Sequence, residues 1–187
     1  MALVLLDRDG VIVTNRRTTL RTPADLDYLP GAIEAVHRLI RAGVVVALCT
    51  NQPEVARGVL SHAALLEVHH ALQARLSVPG GPPVDIHSCT CRGKSPRLKP
   101  AGSMLREALQ RHGADPATTP FVGDQLDDLR AAFHAGCRRI LLRTGLGRQT
   151  ERSPLPSYLG PIEVHDDLAS FVDHWLRRNL PSEPSFT

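Results

Sequence analysis

Short apolar runs alternate with longer amphipathic segments along the chain. Runs of four to eight apolar residues bounded by turn residues are typical of buried strands. The first run, LVLL, ends at Leu6 and is followed at once by the polar sequence DRDG. The pattern predicts strands at Leu3–Leu6, Val44–Cys49, Phe121–Val122 and Ile140–Leu142, and a weaker strand at Val84–His87.

Between these strands, apolar residues recur at helical spacing. In Gly31–Ala42 the side chains of Ile33, Val36 and Ile40 share one face, and Gly43 ends the helix. Strands that alternate with helices of this length form parallel βαβ units, so we predict an α/β fold with a three-layer, doubly wound, Rossmann-like parallel sheet. The other predicted helices are Pro53–Leu76, Pro100–His112, Leu126–Ala135 and Asp167–Arg178.

Length and charge narrow the class of protein. A chain of 187 residues, of which 42% are hydrophobic, is long enough for one sizeable core. We therefore predict one domain over residues 1–180 and a flexible tail over residues 181–187. The net charge of +3 comes largely from scattered arginines, which argues against a nucleic-acid-binding surface. A modest positive charge suits small anionic substrates such as phosphate esters.

The N-terminal sequence and the settings of the cysteines indicate an intracellular protein. The first apolar run is too short for a signal peptide and ends in charged residues. No stretch reaches the length of a transmembrane helix. Cys49 and Cys137 lie in apolar settings, where a reduced, buried thiol is the usual state. We predict a cytoplasmic monomer with no membrane partner.

Polar side chains follow several of the predicted strands. Because ligands of open α/β sheets bind outside the carboxyl ends of the strands, these side chains are expected to meet at one edge. An acidic turn without chemistry remains the alternative for the first of these segments, since Asp and Gly are common turn formers. The residues in question are Asp7 and Asp9, Thr50 and Asn51, Lys99 before a helix, and Asp124.

These residue types suit phosphoryl transfer. The reaction needs a nucleophile in line with the phosphorus, donors for the phosphate oxygens and cations that offset their charge. A carboxylate can serve as the nucleophile and form an aspartyl-phosphate. Magnesium binds through a few carboxylates together with phosphate oxygens and water. These residue types therefore fit Mg²⁺-dependent phosphoryl transfer.

Four motifs, in this order, resemble the haloacid dehalogenase superfamily of aspartyl-phosphate phosphatases. They are DRDGV, the threonine of CTNQ, the lysine of LKP, and GDQLDD, and they span Leu3 to Gly145. The resemblance implies that Asp7 is the nucleophile. It also implies that Asp9 protonates the leaving oxygen and then activates water, while Thr50 and Asn51 donate to the transferring phosphoryl group.

The same resemblance assigns the charged groups around the nucleophile. Lys99 is expected to neutralise charge on Asp7 and on the phosphate. Asp124 is expected to hold Mg²⁺ together with Asp7 and the Asp9 carbonyl. Asp128 is expected to orient the lysine or the surroundings of the metal.

Motif spacing and finer resemblance point to one branch of this superfamily. About forty residues separate Asp9 from Thr50 and about fifty separate Thr50 from Lys99, which leaves no room for a cap domain of ordinary size. The segment LDYLPGAIEA, together with TNQ followed by ARG, resembles D-glycero-D-manno-heptose bisphosphate phosphatases. We expect a capless enzyme for the 1,7-bisphosphate, with Arg57 either facing the substrate or simply solvated on a helix.

Some positions depart from that branch and keep other functions open. Pro53 and Glu54 replace small residues after TNQ, Leu98 stands beside the motif lysine where an arginine is usual, and Gln125 stands where a lysine is common. A phosphatase for histidinol phosphate or another small metabolite is therefore an alternative. A second alternative is a degenerate member that binds a phosphosugar without turnover.

A cysteine-containing segment raises the question of zinc. The resembling family carries a structural zinc loop with the pattern CxH followed by CxC, and here the region is compressed to DIHSCTC. Strand alternation could place four zinc ligands on one side, although side chains along a straight strand rarely close a tetrahedron. A vestigial or absent site is the favoured interpretation. The candidate zinc ligands are Asp85, His87, Cys89 and Cys91.

Overall fold

The computed structural model describes residues 2–15 and 19–179. These residues build one six-stranded parallel sheet with the order β3-β2-β1-β4-β5-β6, which confirms the predicted α/β fold. The strands are β1 (Leu3–Leu6), β2 (Val45–Asn51), β3 (Asp85–Cys89), β4 (Pro120–Gly123), β5 (Arg138–Leu142) and β6 (Ile162–His165). The helices are α1 (Ala32–Arg41), α2 (His62–Leu76), α3 (Ser103–His112), α4 (Leu126–Ala135), α5 (Gly147–Arg152) and α6 (Leu168–Asn179).

Helices cover both faces of the sheet. Successive residues of β1 point to opposite faces, so Leu6 packs in one apolar layer and Leu5 in the other. The first layer buries Phe171 of α6 together with residues of α1 and α2. The second buries Leu105 of α3 together with residues of α4. Each strand of the centre is thus apolar on both sides, as expected for a parallel sheet.

The order of the strands reverses at β1. This strand pairs with β2 on one side and with β4 on the other, and both pairings are parallel. Ligands of doubly wound sheets bind in the crevice at such a switch point, outside the carboxyl ends of the strands. The segments that follow β1, β2 and β4 therefore converge on one place.

The segments around this crevice are short. Residues between β1 and α1 form turns and one 3-10 turn (Pro23–Asp25), and residues between β2 and α2 form turns. In the described parts of the chain no cap domain interrupts the fold, as predicted. Within the same residues, no helix is long and apolar enough to cross a membrane.

Four elements differ from the sequence prediction. Helix α2 begins at His62 rather than at Pro53, because Gly58 adopts a positive φ of 71° and Ser61 caps the helix by accepting from Ala64 N at 3.1 Å. Helix α3 begins at Ser103 rather than at Pro100. Strand β6 and the short helix α5 were not predicted. The predicted tail at 181–187 lies outside the described residues, and the single-domain assignment remains a prediction.

Candidate active site

A buried ion cluster lies at the carboxyl end of β1. Lys99 Nζ lies 2.8 Å from Asp7 Oδ1 and 2.7 Å from Asp128 Oδ1, and all three side chains are buried. The other oxygen of Asp128 accepts from the backbone amides of Asp124 at 3.2 Å and Gln125 at 3.0 Å. Both oxygens of Asp128 are thus occupied, one by the lysine and one by backbone amides, and its role in orienting the lysine stays a prediction.

Burial and charge oppose each other at Lys99. Burial disfavours the ammonium, but Asp128 and Asp7 outweigh it and raise the pKa of Lys99 above its ordinary value. At Asp7, burial raises the pKa well above its usual range, while Lys99 acts in the opposite direction. The lysine is therefore a permanent cation, and it favours the anionic form of the carboxylate that it touches.

Asp124 completes an oxygen-rich group. Ligand atoms of Asp7, Asp124 and Asp128 lie within 4.8 Å of one another. Asp124 Oδ2 accepts from Leu146 N at 2.8 Å, whereas its Oδ1 is buried and has no hydrogen-bond partner. Burial, followed by the charge of Asp128, raises the pKa of Asp124 to about 7. A buried carboxylate oxygen without a partner, next to a second carboxylate, fits a hard divalent cation such as Mg²⁺.

Two glycines allow the loops to close around Asp124. Gly10 has a φ of 81° and Gly145 a φ of 54°, and a Cβ atom at either position would overlap the Asp124 carboxylate. Thr144 Oγ1 also donates to the Gly10 carbonyl at 2.7 Å. The loops that follow β1 and β5 therefore pack directly against the Asp124 carboxylate, which follows β4.

Asp9 lies at the rim of the cluster. Its carboxylate accepts two pairs of hydrogen bonds from the Arg8 guanidinium at 2.8 to 3.2 Å, and one from Gln52 Nε2 at 3.2 Å. It lines a small pocket of about 120 Å³ together with Asp7 and Thr50. The structure therefore brings the two aspartates of the DRDG motif to the same pocket.

Sequence reasoning missed the support behind Asp9. Arg8 is buried, and its Nη1 lies 3.5 Å from Nε2 of His69 on α2. Burial, followed by the charge of Arg8, lowers the pKa of His69 to about 4. A neutral imidazole can accept from the guanidinium, so His69 fixes the arginine that holds Asp9. Only the three-dimensional packing of α2 against the β1 loop reveals this role.

The end of β2 supplies Thr50 and Asn51. Thr50 Oγ1 lines the small pocket and accepts from Gln52 Nε2 at 2.9 Å. Asn51 Nδ2 donates to the Lys99 carbonyl and Asn51 Oδ1 accepts from Lys99 N, both at 3.0 Å. Both ends of this amide hold the backbone of the lysine, so Asn51 positions Lys99 in addition to lining the pocket.

A larger cleft of about 370 Å³ lies beside the small pocket. Pro53, Glu54 and Gln125, which depart from the resembling branch, all line it. Leu98 instead packs beside the apolar layer under α3. The departures therefore alter the walls of the cleft and leave the ion cluster intact.

Arg57 does not lie among the residues that line either pocket. Its side chain is 57% exposed and lies 3.5 Å from Glu54, three residues earlier. The predicted helix that would have carried it is a series of turns here. The side chain of Arg57 is therefore exposed outside both pockets, and its substrate-facing role stays a prediction.

The four candidate zinc ligands do not come together. Asp85 and His87 share β3, but the third ligand atom within 4.8 Å belongs to His112 of α3. Cys89 is buried in the apolar layer, and neither it nor Cys91 joins a group of three potential ligands among residues 2–15 and 19–179. Side chains that alternate along a straight strand diverge, which explains why these four side chains do not converge on one point.

Known proteins resemble the chain over nearly its whole length. A HAD-hydrolase-like family model matches residues 97–171. The D-glycero-beta-D-manno-heptose-1,7-bisphosphate 7-phosphatase of Bordetella bronchiseptica is 36% identical over 186 residues, which cover 95% of this chain and 99% of that protein. The enzyme of the same name from Pseudomonas aeruginosa is 36% identical over 184 residues, covering 94% of this chain and 98% of that protein.

Solved structures give the same result. The crystal structure of D,D-heptose 1,7-bisphosphate phosphatase from B. bronchiseptica, complexed with magnesium and phosphate, superposes with a TM-score of 0.87 at 35% identity. The match covers 95% of this chain and 99% of that chain. The corresponding phosphatase from Burkholderia thailandensis matches with a TM-score of 0.72 at 34% identity, covering 94% of this chain and 99% of that one.

Proposed function

Since the chain belongs to the HAD-like phosphatases, we propose that its substrate is D-glycero-D-manno-heptose 1,7-bisphosphate. The protein is a Mg²⁺-dependent phosphoric monoester hydrolase. The observation that carries the substrate proposal is 36% identity over 95% of the chain to a phosphatase named for this sugar. The buried cluster of Asp7, Lys99 and Asp124 supports the chemistry, because it combines a nucleophile, a fixed cation and a free carboxylate oxygen.

In the proposed reaction, Asp7 attacks the phosphorus and Asp9 protonates the departing sugar oxygen. Asp9 then takes a proton from water, the water attacks the phosphoryl-aspartate, and phosphate leaves with Asp7 restored. Lys99 offsets negative charge beside Asp7 throughout. When bound at Asp7 and Asp124, Mg²⁺ neutralises the repulsion between the nucleophile and the phosphate.

Arg8, Gln52 and His69 serve this reaction by position. The guanidinium and the amide hold the Asp9 carboxylate at the mouth of the pocket that contains Asp7. Because the Asp9 carboxylate is already held in place, it loses less conformational entropy when the phosphate ester binds. We assign all three side chains as positioning residues for Asp9.

The cleft is the proposed place for the sugar. Its volume of about 370 Å³ falls in the usual range for small-molecule sites, and its lining is dominated by polar groups. Because no cap covers it in the described residues, the loops around Pro53 and Gln125 shape the substrate preference. These are the positions that differ from the resembling branch, so they are where a preference for another phosphate ester would arise.

Phosphate release from a set of substrates tests the proposal. We expect kcat/KM for heptose 1,7-bisphosphate to exceed that for histidinol phosphate and for hexose phosphates by at least about tenfold. EDTA should abolish the activity, and Asp7→Asn serves as the inactive control. Equal rates on all substrates would refute the heptose assignment while leaving the phosphatase intact. Wild-type protein that releases no more phosphate than the Asp7→Asn control would instead support the degenerate binder.

A further inference from the structure

We propose that Asp85, His87 and His112 form a transition-metal site, separate from the active site, that takes Zn²⁺. Asp85 and His87 are two residues apart on β3 and therefore point to the same face of this edge strand. His112 is the last residue of α3, which packs on that face. Their ligand atoms lie within 4.8 Å of one another.

One imidazole nitrogen in this cluster lacks a partner. Nε2 of His87 is buried and has no hydrogen-bond partner. Nε2 of His112 is also buried and meets the Asp85 carboxylate at 3.0 Å. Buried polar atoms are paired in nearly all cases, so the orphan nitrogen beside this carboxylate needs an explanation.

The donor set fits zinc with little movement. Imidazole nitrogen and carboxylate oxygen bind Zn²⁺ at about 2.0–2.2 Å, which places tetrahedral ligand atoms about 3.3 Å apart. Asp85 Oδ2 already lies 3.0 Å from His112 Nε2. Small side-chain rotations would bring His87 into the same shell. Three protein ligands leave the fourth position for water.

Arg111 competes with a metal ion for the Asp85 carboxylate. Its Nε donates to Asp85 Oδ2 at 2.7 Å, and its side chain is 65% exposed. A solvated arginine can leave the carboxylate at small cost, since exposed ion pairs contribute little to stability. In the metal-free protein the guanidinium holds Asp85, and the metal takes its place on binding.

The site is distinct from both other candidate metal positions. Asp85 lies on the edge strand β3, and strand β2 separates it from β1, whose carboxyl end is followed by Asp7. Cys89 and Cys91 are not members of the cluster. A metal here joins the edge strand β3 to the end of α3, and its expected effect is a rise in Tm rather than a change in turnover.

Zinc titration of chelator-treated protein tests the proposal. An Asp124→Asn background with excess Mg²⁺ keeps zinc from the active site. We expect one Zn²⁺ per chain, with affinity at least about 100-fold lower in His112→Gln, more than an outer-shell change usually costs. The matched control His70→Gln, at an exposed position on α2, should leave the affinity unchanged. Arg111→Ala should tighten binding, because it removes the competing cation.

Two further measurements distinguish this site from one with cysteine ligands. Cys91→Ser should leave zinc affinity unchanged, and Co²⁺-loaded protein should show d–d absorption without a thiolate charge-transfer band. In an Asp124 wild-type background, His112→Gln should retain its Mg²⁺-dependent phosphatase rate, which shows that it is folded. No binding by the parent protein, binding unaffected by His112→Gln, or binding abolished by Cys91→Ser would overturn the proposal.

Discussion

Asp124 is expected to destabilise the fold when Mg²⁺ is absent, so that Asp124→Asn stabilises the metal-free protein. The carboxylate is fully buried, one oxygen has no partner, and Asp128 adds a like charge. Asparagine has nearly the same shape, and its Oδ1 can keep the hydrogen bond from Leu146 N. The substitution therefore removes a buried charge without leaving a cavity.

The magnitude follows from the pKa of Asp124. Its value rises from 3.8 to about 7 on folding, so between these pH values the folded protein keeps a proton that the unfolded chain has lost. The free energy of unfolding therefore falls as pH rises through this window. At about 1.4 kcal/mol per pH unit, the penalty grows from roughly 1–2 kcal/mol at pH 5 to roughly 4 kcal/mol at pH 8.

Urea unfolding in EDTA at pH 5 and pH 8 measures this difference. Asp124→Asn should be more stable than wild type, by a margin that widens between the two pH values. Asp127→Asn is the matched control, because that carboxylate is 52% exposed and should change stability by less than about 0.5 kcal/mol. Added Mg²⁺ should stabilise wild type and the Asp127→Asn control, by about 2.7 kcal/mol at one hundred times Kd, but not Asp124→Asn. A variant less stable than wild type at pH 8, with the same pH slope, would refute the reasoning.

Other substitutions test the site and the core. Asp7→Asn should reduce phosphate release to background, and a rate like that of wild type would eliminate the nucleophile assignment. Asp9→Asn should lower kcat by about 10²–10⁴-fold, the usual range for a lost general acid and base. Gly145→Ala should raise the Mg²⁺ concentration for half-maximal activity at least about tenfold, because its Cβ would overlap the Asp124 carboxylate. Trp175→Ala should lower the free energy of unfolding by about 3–5 kcal/mol in urea titrations, since the ring is buried in the layer under α6.

The segments of the candidate site were predictable because their information is local. A short apolar run bounded by turn residues, such as LVLL before DRDG, is typical of a buried strand, and the polar residue that follows it is then expected at the end of that strand. Asp7 and Asp124 each follow such a run directly. Helix α1 was predictable for the same reason, since its apolar spacing and its terminal glycine lie within a dozen residues.

The less accurate predictions have different physical causes. Strand β6 reads IEVH and is only partly buried at the edge of the sheet, so its apolar pattern is too short to identify. The segment before α2 has helical composition, but Pro53, Gly58 and the Ser61 cap make turns of it and leave Arg57 exposed. In that segment, short-range turn geometry outweighs the average propensity of the window.

Residues that act through another side chain were harder to identify. Asn51 lies 48 residues from Lys99 and yet bonds both its amide and its carbonyl. His69 supports Arg8 across 61 residues. The Asp85–His112 contact likewise requires α3 to pack on β3. Spacing along the chain carries no information about such pairs, because packing between elements sets them.

The charge of the ion cluster explains why this fold requires a divalent metal. The carboxylates of Asp7, Asp124 and Asp128 lie close together, and one ammonium, that of Lys99, contacts two of them, so the group carries two net negative charges when all are ionised. A dianionic phosphate cannot approach such a group in a buried pocket without a compensating cation. In the metal-free protein, burial and then the charges of neighbouring carboxylates raise the pKa values of Asp7 and Asp124. The free energy stored in those two carboxylates is released when Mg²⁺ binds, so the instability of the empty site and its affinity for the metal have one origin.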